Sequence, residues 1–318
     1  LSPGNPAPYP PPPGGPTLAS VRDHNNITRS SVGLWLNVSD WRAPLSVFQY
    51  GLRQVYKIFY VSEEIEDNVA IAHDLVGLFG ALLQRDGPLD YLEIGVSVGK
   101  CIYTQLNFLR PDARVFALDI ETPNPTLAAM LNGPEIIDAW TEETLQQGKS
   151  TSRRADGLHS TDYVRRYRLP GRAGPPLTYV EVDEFSEEGW QRLARQGARF
   201  RMVLSDALHE QAAVEFEWGQ LHKYGLLDLA GDFVMLWDDC LQDKSDSVRR
   251  GFSRFPEYLR KMHPGKRFCS GIIKVWGWMG KHEAAHPTCF ITTYDVEELR
   301  RRDPLLGSLE MEAPVTCA

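Results

Sequence analysis

The chain has 318 residues, 42% hydrophobic and 24% charged, an ordinary globular composition long enough for one large α/β domain with extensions. A formal net charge of −8 argues against nonspecific nucleic-acid binding, which needs a basic surface. No apolar run approaches the roughly 20 residues that span a bilayer. The five cysteines (Cys101, Cys240, Cys269, Cys289, Cys317) form no CxxC pair, so zinc is not indicated and mostly free, buried thiols are expected.

Residues 1–20 are a proline-rich tail, with eight prolines in the first sixteen positions, a composition expected to be disordered or polyproline II. Residues 21–62 read as an aromatic-rich cap, with Trp35, Trp41, Phe48, Tyr50, Tyr56, Phe59 and Tyr60. Two glycosylation sequons, Asn26-Ile27-Thr28 and Asn37-Val38-Ser39, favour a secretory lumen (Golgi or ER) over the cytoplasm. The main domain is expected over 63–318.

From Glu63 to Leu83 the apolar positions recur every three or four residues, which predicts an amphipathic helix. Strand-like runs follow at 90–94, 114–119, 177–182, 199–205, 232–237, 270–277 and 288–293. Helix-like segments lie at 100–109, 187–196, 209–224, 245–262 and 295–302. Alternating strands and helices predict a Rossmann-like, doubly wound α/β fold. Its seven-stranded sheet is expected to be mostly parallel with an antiparallel edge strand. Residues 121–176 interrupt the pattern as a long polar insertion, read as a solvated loop or lid. Seven Lys and Arg side chains between Lys149 and Arg172 make it basic, and its His159 is a candidate lid residue.

The most informative stretch is Asp90–Lys100, DYLEIGVSVGK. A strand ends in Glu93, then Gly95 and Gly99 follow four apart, and a helix begins. Glycines let the backbone approach a ligand, and free N–H groups at a helix start attract negative charge. This is a nucleotide-type pocket.

With these residues in view, the chain resembles the class I S-adenosylmethionine (SAM) methyltransferases. LEIGVSVGK matches that family's acidic-GxxxG motif better than the dinucleotide GxGxxG, because Ser97 stands at the middle glycine. The resemblance implies Glu93, Gly95, Ser97 and Gly99 around SAM, Asp119 of ALDIE on the ribose, and Asp183 of YVEVDEF near the adenine.

Further along, FRMVLSDALHE places Asp206 and His209 after the fourth strand, and AGDFVMLWDDC places Asp238 and Asp239 after the fifth. In a parallel sheet these carboxyl ends face one crevice. Three carboxylates there repel one another unless a cation neutralises them, and hard oxygen donors suit Mg²⁺, with Mn²⁺ or Ca²⁺ as alternatives. The layout resembles the metal-dependent O-methyltransferases of the catechol and macrocin types. It also resembles an IDGxH-like group of methyltransferase domains, although Ala207 replaces the glycine after the aspartate.

The resemblance implies Asp206, Asp238 and Asp239 as metal ligands and His209 as the base that deprotonates an acceptor hydroxyl on a sugar, glycan or small metabolite. Two alternatives stand beside it: a metal-independent methyltransferase on another acceptor, and a catalytically silent domain used for assembly. Whether the chain forms a homo-oligomer is left open. Cys101 is expected to pack rather than attack.

Overall fold

A computed structural model describes residues 76, 79–80, 82–84, 87–96, 99–123, 127–128, 131–139, 163–170, 174–240, 248–279, 282–302, 310–312 and 314–317. The proline-rich tail, the aromatic cap with its sequons, Ser97 and His159 lie outside the described residues. So does most of the helix expected over 63–83, although positions 76, 79, 80, 82 and 83 are helical.

Five parallel strands make the centre. They are β1 (Asp90–Ile94), β2 (Arg114–Asp119), β5 (Leu177–Glu181), β6 (Met202–Ser205) and β7 (Val234–Trp237). All four residues of both β6 and β7 are buried, as a parallel sheet covered on both faces requires. Strands β8 (Cys269–Met279) and β9 (His282–Thr292) pair antiparallel over their whole length, and β9 lies between β8 and β7. These two late runs are the antiparallel edge pair that the sequence predicts.

Helices cover the sheet: α1 (Lys100–Phe108), α2 (Glu187–Arg195), α3 (Gln211–Lys223), α4 (Val248–Phe252), α5 (Phe255–Met262) and α6 (Val296–Arg302). One apolar cluster lies on each face. Alternate residues divide between them, so Tyr91 and Val115 point one way and Leu92 and Phe116 the other.

The doubly wound, Rossmann-like architecture is the expected one, but the sheet has eleven strands rather than seven. Its order is β10-β8-β9-β7-β6-β1-β2-β5-β4-β3, with β11 also on β8. Two of the additional strands come from the supposed loop at 121–176. Strands β3 (Asn132–Ala139) and β4 (Tyr163–Arg168) form an antiparallel hairpin, and β4 extends the sheet from β5. Arg165 of β4 reaches Glu181 of β5 at 3.0 Å, which gives a buried carboxylate its partner. The other additions are β10 (Glu310–Met311) and β11 (Thr316–Cys317), each two residues long.

Two further expectations are corrected. The single helix over 245–262 is two, because Pro256 sits in the first turn of α5, where its missing N–H is harmless, and cannot continue a helix from α4. Four of the five cysteines are not free thiols. Cys240 is bonded to Cys289 and Cys269 to Cys317, whereas Cys101 is a buried free thiol.

Candidate active site

The winding of the sheet reverses at β1. The chain runs from β1 outward to β2 and β5, then returns to the other side of β1 as β6 and β7. Such a reversal opens a crevice beyond the carboxyl ends of β1 and β6, the usual ligand position in open α/β sheets. Gly95 leaves β1 with φ 79°, and a Cβ there would lie 2.5 Å from backbone atoms of Asp206 and Ala207. Only glycine allows the two strand exits to lie this close. Gly99, at φ 83°, caps α1 without a side-chain hydrogen bond.

A pocket of about 500 Å³ opens here, and it gathers Gly95, Asp119, Asp183 and Asp206 of the residues predicted from sequence. Asp119 is held by two backbone donors. Val96 N–H donates to Oδ2 at 2.5 Å and Glu121 N–H to Oδ1 at 2.8 Å. Phe185 N–H donates to Asp183 Oδ1 at 2.9 Å. Three large apolar side chains, Ile120, Phe185 and Leu208, also line the pocket while being 44%, 42% and 44% exposed. Sequence reasoning missed them. Each follows within two residues of an acidic strand end, and that spacing is the signal that could have found them. Glu184 was missed as well. It lines the pocket above Glu217, a fully buried carboxyl that accepts a hydrogen bond from Ser205 Oγ at 2.7 Å.

Glu93 is not a pocket wall. It is 2% exposed, lies behind the glycine turn and accepts a hydrogen bond from Tyr91 Oη at 2.7 Å. Burial pushes its carboxyl up to about 8, so it carries a proton near neutral pH. The neighbouring Cys101 thiol is pushed up by the same burial and stays unreactive.

The acidic cluster adjoins the pocket. His209 joins two of its members, with Nε2 at 3.1 Å from Asp206 Oδ1 and Nδ1 at 3.1 Å from Asp239 Oδ2. Asp238 lies next in the chain and accepts a hydrogen bond from Thr288 Oγ1 at 3.3 Å. Burial first, then the charges of Asp206 and Asp239, push Asp238 up to about 7. Asp206 is also raised, chiefly by burial, against the opposing pull of His209. The imidazole is raised to about 10, first by its hydrogen bond to Asp206 and then by that to Asp239.

These carboxylates fit a hard divalent cation in donor chemistry, because negative charge is crowded beyond what one imidazolium neutralises. Their spacing does not form a ready cage. Among the described residues no group of three or more His, Cys, Asp or Glu side chains is arranged to hold a metal ion. His209 fills the space between Asp206 and Asp239 instead.

A pH test of this pairing follows. A histidine raised from 6.5 to about 10 stabilises the fold fully below 6.5, and that contribution is lost as pH rises through about 10. The melting-temperature gap between wild type and His209→Gln is therefore expected to narrow between roughly pH 6.5 and pH 10. Thermal denaturation across that range measures it, and a constant gap rules out the doubly paired imidazolium.

The sequence matches no family model and no curated protein. Several solved structures resemble the fold. The O-methyltransferase TomG from Streptomyces achromogenes, involved in tomaymycin synthesis and solved with SAM, is 18% identical over 86% of this chain and 99% of its own, with a TM-score of 0.45. An O-methyltransferase from Bacillus cereus in complex with SAH is 14% identical over 85% and 99%, with a TM-score of 0.46. The methyltransferase MycE of the mycinamycin biosynthetic pathway, in complex with Mg and SAH, is 13% identical over 67% of this chain and 47% of its own, with a TM-score of 0.36.

Proposed function

We propose that the protein is a SAM-dependent O-methyltransferase that uses a divalent cation, with Mg²⁺ the best suited, to methylate a hydroxyl of a sugar, glycan or small metabolite. The observation that carries this reading is the meeting of the Gly95 pocket with the Asp206–His209–Asp239 cluster across one strand end. The pocket suits an adenosine-type ligand. Asp119 can accept from ribose hydroxyls, Asp183 can accept from an adenine amino group, and Ile120, Phe185 and Leu208 offer apolar faces to a planar ring. Gly95 and Gly99 let the protein backbone approach the ligand closely, and the α1 N-terminus favours its carboxylate.

In the transfer, a lone pair on the acceptor oxygen attacks the methyl carbon, the S–CH₃ bond breaks, and the sulfonium becomes a neutral thioether. The hydroxyl proton must leave. A hydroxyl is a poor nucleophile while protonated, so the residues around it decide the rate. Asp206, Asp238 and Asp239 would hold the cation, which when bound supplies positive charge that lowers the hydroxyl's pKa. Raised to about 10, His209 is an imidazolium near neutral pH, with one N–H on Asp206 and the other on Asp239, and it cannot accept another proton. A bound cation would take up part of the aspartates' negative charge and so would lower the pKa of His209 toward the range of a base. The bridged imidazole also favours a second reading, a metal-independent methyltransferase in which the His209 imidazolium supplies the positive charge that balances Asp206 and Asp239.

Titration calorimetry with SAM, followed by turnover assays on hydroxyl acceptors with EDTA and with added Mg²⁺, is expected to show binding and metal-dependent methylation. Absence of SAM binding rules out both enzyme readings. Turnover indifferent to EDTA selects the second. Among the described residues no helix is long and apolar enough to cross a membrane. Two disulfides and two sequons support a secretory-lumen location, because disulfides persist in oxidising compartments.

A further inference from the structure

We infer that Cys240, Cys289 and Thr288 are positioning residues, and that the Cys240–Cys289 disulfide holds the Asp238–Asp239 turn in the conformation that presents Asp239 to His209. This rests on the reading above, in which that cluster performs the chemistry. Asp239 has φ 49° and is the one non-glycine residue with positive φ among the described residues. Such backbone persists only where its surroundings over-determine it, and it gathers at functional sites.

The surroundings here are three consecutive residues of β9. Pro287 O accepts the Cys240 N–H at 2.7 Å, Thr288 Oγ1 donates to Asp238 Oδ1 at 3.3 Å, and Cys289 is bonded to Cys240. On the other side Asp238 N–H donates to Ser205 O at 3.0 Å, which ties the turn to the exit of β6 beside Asp206. Asp239 is thus gripped on both flanks while its side chain extends to His209 Nδ1 at 3.1 Å. Both cysteines of the bond are fully buried, so the crosslink is a fixed part of the site.

The second disulfide supplies a matched control. Cys269–Cys317 spans 48 residues and Cys240–Cys289 spans 49, so each constrains the unfolded chain about equally. It ties β11 to β8, in the apolar cluster on the opposite face of the sheet from Cys240 and Cys289. In full-length protein, Cys240→Ala/Cys289→Ala is expected to lower kcat at least about tenfold with SAM affinity within about twofold, since small misplacements of reacting groups carry losses of this size. Cys269→Ala/Cys317→Ala is expected to keep kcat within about threefold despite a similar fall in melting temperature.

Hydrogen exchange reads the turn without reference to activity. The amides of Asp238 and Cys240 should exchange faster in the first variant and unchanged in the second. Should the first variant fail to fold, Thr288→Val keeps the crosslink and removes only the hydroxyl. It is expected to lower kcat about threefold at constant SAM affinity, the scale of one modest hydrogen bond. Equal kcat losses in the two double variants, or unchanged exchange and turnover when Cys240–Cys289 or Thr288 is altered, overturn the inference. A wild-type protein that binds SAM but methylates no hydroxyl refutes the proposed function instead, and the exchange result still decides the role of the bond.

Discussion

Gly95→Ala is expected to abolish SAM binding, with an affinity loss of at least about 100-fold, or roughly 3 kcal/mol. Two costs add. The backbone at φ 79° disfavours any side chain by on the order of 1 kcal/mol. The added methyl would also stand 2.5 Å from the Asp206 carbonyl and the Ala207 amide, where no flexible side chain can yield. The exits of β1 and β6 must then separate, and Asp119, held through Val96 N–H, moves with the turn. Calorimetry with SAM checks the loss, and a melting curve separates it from unfolding. An affinity within about threefold of wild type would show that the ligand does not touch this turn.

Asp239→Ala should behave oppositely, with turnover falling about 100-fold, near 2.7 kcal/mol of transition-state stabilisation, while SAM affinity stays within about twofold. Asp239 is not a wall of the Gly95 pocket, so removing its carboxylate leaves the cofactor's contacts in place. What disappears is the partner of His209 Nδ1 and, in the proposed mechanism, a carboxylate that would hold a cation. Alanine also tolerates φ 49° poorly. Asp239→Asn is the better-matched comparison, because asparagine adopts that conformation and keeps the shape. It should lose nearly as much turnover. Steady-state kinetics and calorimetry on both variants measure this, and loss of SAM affinity in either would place the acidic turn in the cofactor site.

The central strands were legible because burial on both faces makes them mainly apolar, in β7 without a break over Val234-Met235-Leu236-Trp237. The glycine turn was legible because its chemistry is local. The hairpin β3–β4 was not. Its strands stand at the end of the sheet, where Glu135, Ile136, Arg166 and Arg168 need not be apolar, and Arg165 is partly covered where it reaches diagonally to Glu181 on the next strand. Polar composition there reads as loop when the partner strand is unseen. The disulfides were hidden for a similar reason, since pairs nearly fifty residues apart carry no local spacing signal. In the site, the residue types at the strand ends were readable but their mutual arrangement was not. Sequence placed three carboxylates together, while geometry set His209 between two of them and buried Glu93 behind the turn.

The two disulfides have a topological consequence. Their spans interleave, Cys240 to Cys289 and Cys269 to Cys317, rather than following one another. Any single peptide bond cut between residues 240 and 317 is therefore bridged by at least one sulfur–sulfur link. A protease that nicks this third of the β-sheet once severs the backbone but releases no fragment, and the acidic turn stays covalently joined to the strand that grips it.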